Sequence, residues 1–277
     1  MATEPDGPAR RLRVGVGGLG AIGLKVAAAL DQGIDGLELA AVSARDHDKA
    51  ARKLEGFHHP VPVVALGALA ERAEVVVECA PAAVFAEIAE PAVEAGRTLV
   101  TVSCGALLER PDLIERARRT GARIMIPSGA LLGLDAVRAA AEGTIRSVRM
   151  VTRKPPESLA GAPYLDEKGI DLEGLSEPLK VFEGTAREGA RGFPANVNVA
   201  AALSLAGIGP DETRLEIWAD PGVSRNTHRI AVEAEAARFE MSIENVPSQE
   251  NPRTGKLTPL SVIAVLRGLT ASLKVGT

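Results

Sequence analysis

The segment VGVGGLGAIGLKVAAAL, Val14–Leu30, places five glycines within nine residues and then continues as an apolar run. Glycine weakens helix and strand interiors, so a cluster of this kind marks backbone that must turn sharply or let another group come close. A G-x-G-x-x-G turn between a strand and a helix has a defined use. Its first glycine makes the turn, its second lets a pyrophosphate approach the backbone, and its third lets helix and strand pack closely. Two registers fit, Gly15–Gly17–Gly20 and Gly18–Gly20–Gly23. The later one is favoured, because it leaves a strand over Leu12–Gly17 and a helix from about Ala21, with Ile22, Val26 and Leu30 spaced to face a sheet. The earlier one would end the strand after Val14. Dinucleotide contacts are therefore expected at Gly18, Gly20, Ala21, Ile22 and Gly23.

The chain beyond this turn supports the same reading. As far as about Leu131, short β-rich runs (LELAAVS, EVVVECAP, TLVTVSCGAL, ARIMIPSGAL) alternate with helical patterns. That alternation predicts a doubly wound parallel sheet, its strands apolar on both faces. A helix is expected next, over GLDAVRAAAEG. The pattern then changes to period-2 strands: SVRMVTRKPP, PLKVFEGTA, RLEIWADP, RIAVEAEA and RFEMSIENVP. These suit a mainly antiparallel sheet with one covered face, interrupted by one helix in NVNVAAALSLAGIG. GAPYLDEKGIDLEGLSEP, rich in Gly, Pro and acid, reads as a loop. The closing PLSVIAVLRGLTASLK reads as a helix with Leu260, Ile263, Ala264 and Leu266 as its apolar residues. With 277 residues, 46% of them hydrophobic, the chain can build one large or two ordinary domains.

Composition narrows the function classes. A formal net charge of −4 gives no reason to expect a nucleic-acid partner. The two cysteines, Cys79 and Cys104, do not suggest a disulfide scaffold. MATEPDGPARR lacks a signal-peptide core, and no apolar run reaches the roughly 20 residues of a membrane span. A cytoplasmic protein without a membrane partner is expected.

About 20 residues past the glycine turn, where an acid would read the ribose 2′-hydroxyl of NAD, the chain has Ser43, Ala44 and Arg45, with Asp46 one step later. Ser43 and Arg45 are donors suited to a 2′-phosphate, so NADP is expected at least to be accepted. Cys79 and Ala80, ending a strand, are expected beside the cofactor, with Cys79 and Cys104 as packing residues rather than nucleophiles. His47, His58 and His59 fall in polar stretches without metal-ligand spacing, and no metal is expected. His228 lies between a strand end and a strand start, where a proton-exchanging imidazole is useful. The residues alone leave a structural or solvated role open. Asn196 and Asn198 open a helix, where one can cap and the other can meet a ligand.

Taken in order, GGLGAIG, VVECAP, IPSGALLGLD, RKPP, VFEGTA, FPANVNVAAALSLAG, ADP…RNTHRI, IENVPSQENPRT and LTPLSVIAVLRGL resemble the L-aspartate dehydrogenase family from about residue 12 to 270. The resemblance implies a Rossmann domain over residues 11–131 plus 256–277, an α+β substrate and dimerisation domain over 132–255, and a tail over 1–10. It also implies a homodimer. The implied reaction is NAD- or NADP-dependent oxidation of L-aspartate to iminoaspartate, which hydrolyses to oxaloacetate and ammonia or feeds NAD synthesis. The family's catalytic histidine falls on His228, and its cofactor-contacting alanine and asparagine fall on Ala130 and Asn196. His228 is the expected base, with Asp220 or Asn226 orienting it. Lys154, Arg153, Asn198 and Arg253 are the expected substrate contacts. Three features depart from the family pattern: SAR at the second strand end, Gly255 in NPRTGK, and a long 161–178 loop. Alternative readings are a homoserine dehydrogenase-like or dihydrodipicolinate reductase-like enzyme, or a non-catalytic NAD(P)-binding regulator.

Overall fold

A computed structural model describes residues 10–194, 197–248, 250 and 254–276. They form two compact units. The first holds the residues up to Thr101, Leu113–Met125 and Ile263–Lys274. The second holds Val102–Asp112, Ile126–Val262 and the residues from Val275.

In the first unit β1 (Leu12–Gly17), α1 (Gly23–Gln32), β2 (Leu37–Ser43), α2 (His47–Leu54), α3 (Leu69–Arg72), β3 (Val75–Glu78), α4 (Phe85–Glu94) and β4 (Thr98–Thr101) follow in turn. The five-stranded sheet has the order β2-β1-β3-β4-β5, with every pair parallel. Val14, Val16, Val76, Val77, Leu99 and Val100 are fully buried in it, because helices cover a parallel sheet on both faces. The strand glycines serve that packing: a Cβ on Gly17 would lie 2.7 Å from Ile88 Cδ1 of α4.

The expected strand in TLVTVSCGAL stops at Thr101. Cys104 instead opens α5 (Cys104–Leu108), where Cys104, Leu107 and Leu108 are buried at helical spacing. The 3.6-residue period therefore prevails over the β-rich composition. Next come α6 (Pro111–Thr120) and β5 (Arg123–Met125), which is only three residues long and ends two residues before Pro127.

The second unit continues with α7 (Leu134–Ala141), β6 (Ile145–Lys154), α8 (Pro163–Lys168), β7 (Leu179–Thr185), α9 (Ala186–Gly192), α10 (Asn198–Ala206), β8 (Arg214–Ala219), β9 (Thr227–Ala234) and β10 (Arg238–Glu244), and α11 (Leu257–Gly268) is divided between the units after Val262. Its sheet runs β10-β9-β6-β8-β7 and is antiparallel except for the β6–β8 pair. One face is covered, as its alternation requires. Val148, Met150, Leu215, Ile217, Ile230 and Val232 share a core with α5, α7, α9 and α10. The stretch expected to be a loop after Gly161 contains α8. Its Tyr164 packs at 5.3 Å on Phe182 and 5.4 Å on Phe193, so aromatic burial outweighs the local Gly and Pro signal. A second helix that the expectation omitted, α9, is nucleated by a Thr185–Glu188 capping box. In α11 the buried positions are Pro259, Ser261, Val262 and Leu266, while Leu260 is 59% exposed. The apolar face is thus the 262/266 pair, rather than one through Leu260. No helix among the described residues is long and apolar enough to cross a membrane.

Candidate active site and dinucleotide turn

The first unit gathers nine of the expected residues around the glycine turn. Gly18 has φ +96°, and a Cβ there would sit 2.8 Å from the Cys79 carbonyl oxygen and 3.0 Å from Ala80 Cα. A Cβ on Gly23 would lie 1.8 Å from the Gly18 carbonyl oxygen. Neither position accepts another residue without moving backbone. Gly20 differs, because a Cβ there meets nothing within 4 Å and the residue is exposed. That is the open approach a pyrophosphate needs. The helix α1 starts at Gly23 with no side chain capping it, so its N-terminal N–H groups are not claimed by a cap. Ala21 and Ile22 form the turn into it. The residues present therefore fit a dinucleotide.

Neighbouring strand ends lock the turn. The Gly18 N–H donates to the Ser43 carbonyl at 2.8 Å. Ser43 itself is buried at the end of β2, while Arg45 beyond it is exposed. Asp46, the acid that arrives one step late, is the N-cap of α2 and accepts from Lys49 N at 2.9 Å. On the other side Glu78, fully buried at the end of β3, accepts from Ala80 N at 3.0 Å and from the Thr101 hydroxyl at 2.6 Å. Burial, and then the Glu78 charge, push the Cys79 thiol well above its ordinary value. A thiol so suppressed is a poor nucleophile.

In the second unit the register of two strands assembles a polar cluster. Thr152 of β6 lies directly opposite His228 of β9, and Lys154 follows two residues later on the same covered face. The row across the sheet reads Ile243, His228, Thr152, Ile217, Phe182. A polar pair thus sits in an otherwise apolar layer, with His228 only 2% exposed. Buried polar groups need partners, and the His228 Nδ1 meets Thr152 Oγ1 at 3.1 Å. Burial first, and the charge of Lys154 second, push His228 down to about 3. Burial lowers Lys154 to about 8. At neutral pH the pair is therefore an uncharged imidazole beside a mostly protonated amine.

The side chain that meets the His228 ring is Thr152, a residue without a motif signal in the sequence. Asp220 is engaged elsewhere: its two oxygens take Arg153 Nη1 and Gly222 N, each at 2.9 Å. Arg153 points to the opposite face and lies 4.8 Å over the Trp218 ring. Both are thus accounted for by each other, and Lys154 is the cation that shares a face with His228. Ala130 and Asn226, the latter two residues before His228, are linked through Asn245, another residue not singled out. The Asn245 Nδ2 donates to the Ala130 carbonyl at 3.0 Å, and its backbone N–H donates to the Asn226 carbonyl at 2.9 Å. Its only sequence signal was membership of IENVPSQENPRT. The adjacent Gly129 N–H donates to Ser261 Oγ at 3.1 Å. Asn198 lies apart, accepting from Gly105 N at 3.0 Å as the first residue of α10. Asn196 and Arg253 fall outside the described residues. In the first unit His58 and His59 both turn Nδ1 to Asp31, at 3.0 and 3.4 Å, and hold a loop.

Comparison with known proteins identifies the family. Residues 18–127 match the family model described as "Homoserine dehydrogenase, NAD binding domain". Residues 135–269 match "Aspartate dehydrogenase, C-terminal". The L-aspartate dehydrogenase of Bradyrhizobium diazoefficiens is 59% identical over 96% of this chain and 94% of its own. L-aspartate dehydrogenase 3 of Bordetella bronchiseptica is 55% identical over 96% and 98%. The crystal structure of aspartate dehydrogenase from Thermotoga maritima superposes with a TM-score of 0.74 at 25% identity, covering 96% of this chain and all of that one. The chain belongs to the L-aspartate dehydrogenase family.

Proposed function

We propose that this protein oxidises L-aspartate to iminoaspartate with NAD(P)+ and runs the reverse amination, with His228 as the proton-transfer group. The observation that carries the assignment is a buried imidazole, in contact with Thr152 and on the covered face that also holds the buried Lys154 amine, in the half that matches the aspartate dehydrogenase model. When bound, the dinucleotide supplies a hydride acceptor for the substrate Cα–H. The substrate arrives as an ammonium, and hydride cannot leave until a proton has gone from that nitrogen. To accept it, the imidazole must gain basicity in the substrate complex, where the substrate carboxylates oppose the burial and the Lys154 charge that hold it low in the free protein. Lys154 offers a cation to one of the two substrate carboxylates, with Arg253 assigned to the other. Ala130 and Asn196 are assigned to the cofactor by their place in the family motifs, and Gly18, Gly20, Ala21, Ile22, Gly23, Cys79 and Ala80 by the turn. Ser43 and Arg45 are assigned to the 2′ end, which supports acceptance of NADP.

The same proposal includes a homodimer, a cytoplasmic location and supply of the imine to pyridine-nucleotide synthesis. The outer face of the second sheet supports self-association, since it carries Arg149, Trp218 and Lys180 beside Glu216 and Glu183. Tryptophan and arginine are the residues that anchor interfaces. Sedimentation of the wild type beside Trp218→Ala tests that part.

The deciding experiment is an amino-acid panel, homoserine included, assayed with NAD and NADP in both directions. Aspartate-dependent change at 340 nm is expected. Turnover of homoserine but not aspartate would move the substrate assignment, and tight cofactor binding without any turnover would leave a regulator.

A further inference from the structure

Thr152 faces His228 across the β6–β9 pair, and its hydroxyl meets Nδ1 at 3.1 Å. A hydroxyl in this place differs chemically from a carboxylate. A carboxylate only accepts, so it fixes the Nδ1–H tautomer and stabilises the imidazolium. A hydroxyl donates to a bare Nδ1 or accepts from Nδ1–H, so it satisfies both neutral tautomers and the cation. Thr152 is 3% exposed, β-branched and confined to few rotamers, so it holds that bond in one place. The flanking residues of the row, Ile243 and Ile217, offer the imidazole no competing polar partner. Lys154, on the same face of β6, has no lone pair to give when protonated.

We infer that Thr152 is a positioning residue that engages Nδ1 of His228 and leaves Nε2 as the nitrogen that exchanges protons with the substrate amine. The inference rests on the role proposed for His228. In the oxidative direction an N–H bond of the substrate ammonium breaks and an Nε2–H bond forms. For Nε2 to accept, Nδ1 must carry the ring proton; it then donates to Thr152 Oγ1, so the imidazolium is hydrogen-bonded as it forms. In the reductive direction Nε2–H returns that proton to the substrate nitrogen, and the Nδ1–H bond to Thr152 persists. No group beyond NAD(P)+ or NAD(P)H is required.

The test compares Thr152→Val, nearly isosteric but without the hydroxyl, with Thr152→Ser, which restores it. Turnover, dinucleotide Kd, thermal melting and the ring 15N shifts of His228 are measured on each intact protein. Thr152→Val is expected to lower kcat about tenfold, the factor set by one net hydrogen bond, with the dinucleotide Kd unchanged. The Nδ1 shift should move toward that of an unbonded nitrogen, and Thr152→Ser should recover most of the rate. Unchanged kcat and unchanged ring shifts in Thr152→Val, in a background where His228→Ala is inactive, would overturn the inference alone. A fully active His228→Ala would overturn the reading on which it rests. If Thr152→Val melts early, failure of Thr152→Ser to restore both rate and shifts would also count against the role.

Discussion

The glycine turn and the Thr152–His228–Lys154 cluster do opposite things with side chains. Around Gly18, Gly20 and Gly23 the site is made by leaving side chains out: at Gly18 and Gly23 backbone packs on backbone closer than a Cβ would allow, and at Gly20 the surface stays open. Around His228 the site is made by placing polar side chains in a row that Ile243 and Ile217 show to be apolar. The first arrangement binds without titrating. The second titrates and is costly to bury. Substitutions should therefore carry opposite signatures, with backbone geometry and binding lost in one case, and rate and pH dependence altered in the other.

Gly23→Ala should have the largest effect. Its Cβ would collide with the Gly18 carbonyl at 1.8 Å, so a loss of about 3 kcal/mol in stability is expected from overpacking against backbone. Dinucleotide binding should vanish with it, as a melting curve and a titration would show. Lys154→Met comes next. Loss of a charge-assisted contact should raise KM for aspartate roughly 30-fold. Removing the positive neighbour should also raise the apparent pKa of His228 in the free enzyme's pH–rate profile. A KM that stays put would remove Lys154 from substrate binding.

Gly20→Ala isolates binding from folding. Since its Cβ meets nothing, melting should be unaltered while the dinucleotide Kd rises about tenfold through hindered phosphate approach. A smaller effect concerns pH and stability. His228 stands at about 3 in the folded protein against an ordinary 6.5. As pH falls below 6.5 the unfolded chain takes up a proton that the folded one refuses, so stability declines toward pH 3. His228→Asn should flatten the fall in melting temperature between pH 7 and 5. The smallest effect is expected at exposed Arg45: Arg45→Ala should raise KM for NADP about threefold and leave NAD untouched, since exposed charge contacts are weak.

The same contrast explains what could be read from the chain. The glycine turn is local, so its register was legible from the strand and helix that flank it, and the structure keeps Gly15 and Gly17 inside β1. The parallel sheet followed from strand–helix alternation, and the second sheet from period-2 strands. The cluster around His228 is not local. Thr152 and His228 are 76 residues apart, and only the pairing of β6 with β9 makes them neighbours. Residue chemistry therefore pointed to Asp220, a plausible orienter in sequence, although Arg153 and Gly222 occupy it. Asn245 was hidden for the same reason, since its two bonds reach Ala130 and Asn226 across the fold. Helices α8 and α9 escaped notice because tertiary packing of Tyr164 and a capping box outweigh their glycine and proline content.

The central claim is that binding resides in the backbone turn and proton transfer in His228. It is tested most directly by measuring turnover and dinucleotide affinity together in His228→Ala. The expected result is a kcat lower by about a hundredfold or more, the usual contribution of a positioned acid–base group, with the dinucleotide Kd unchanged. Near-normal turnover, or a dinucleotide affinity that falls in step with the rate, would contradict it.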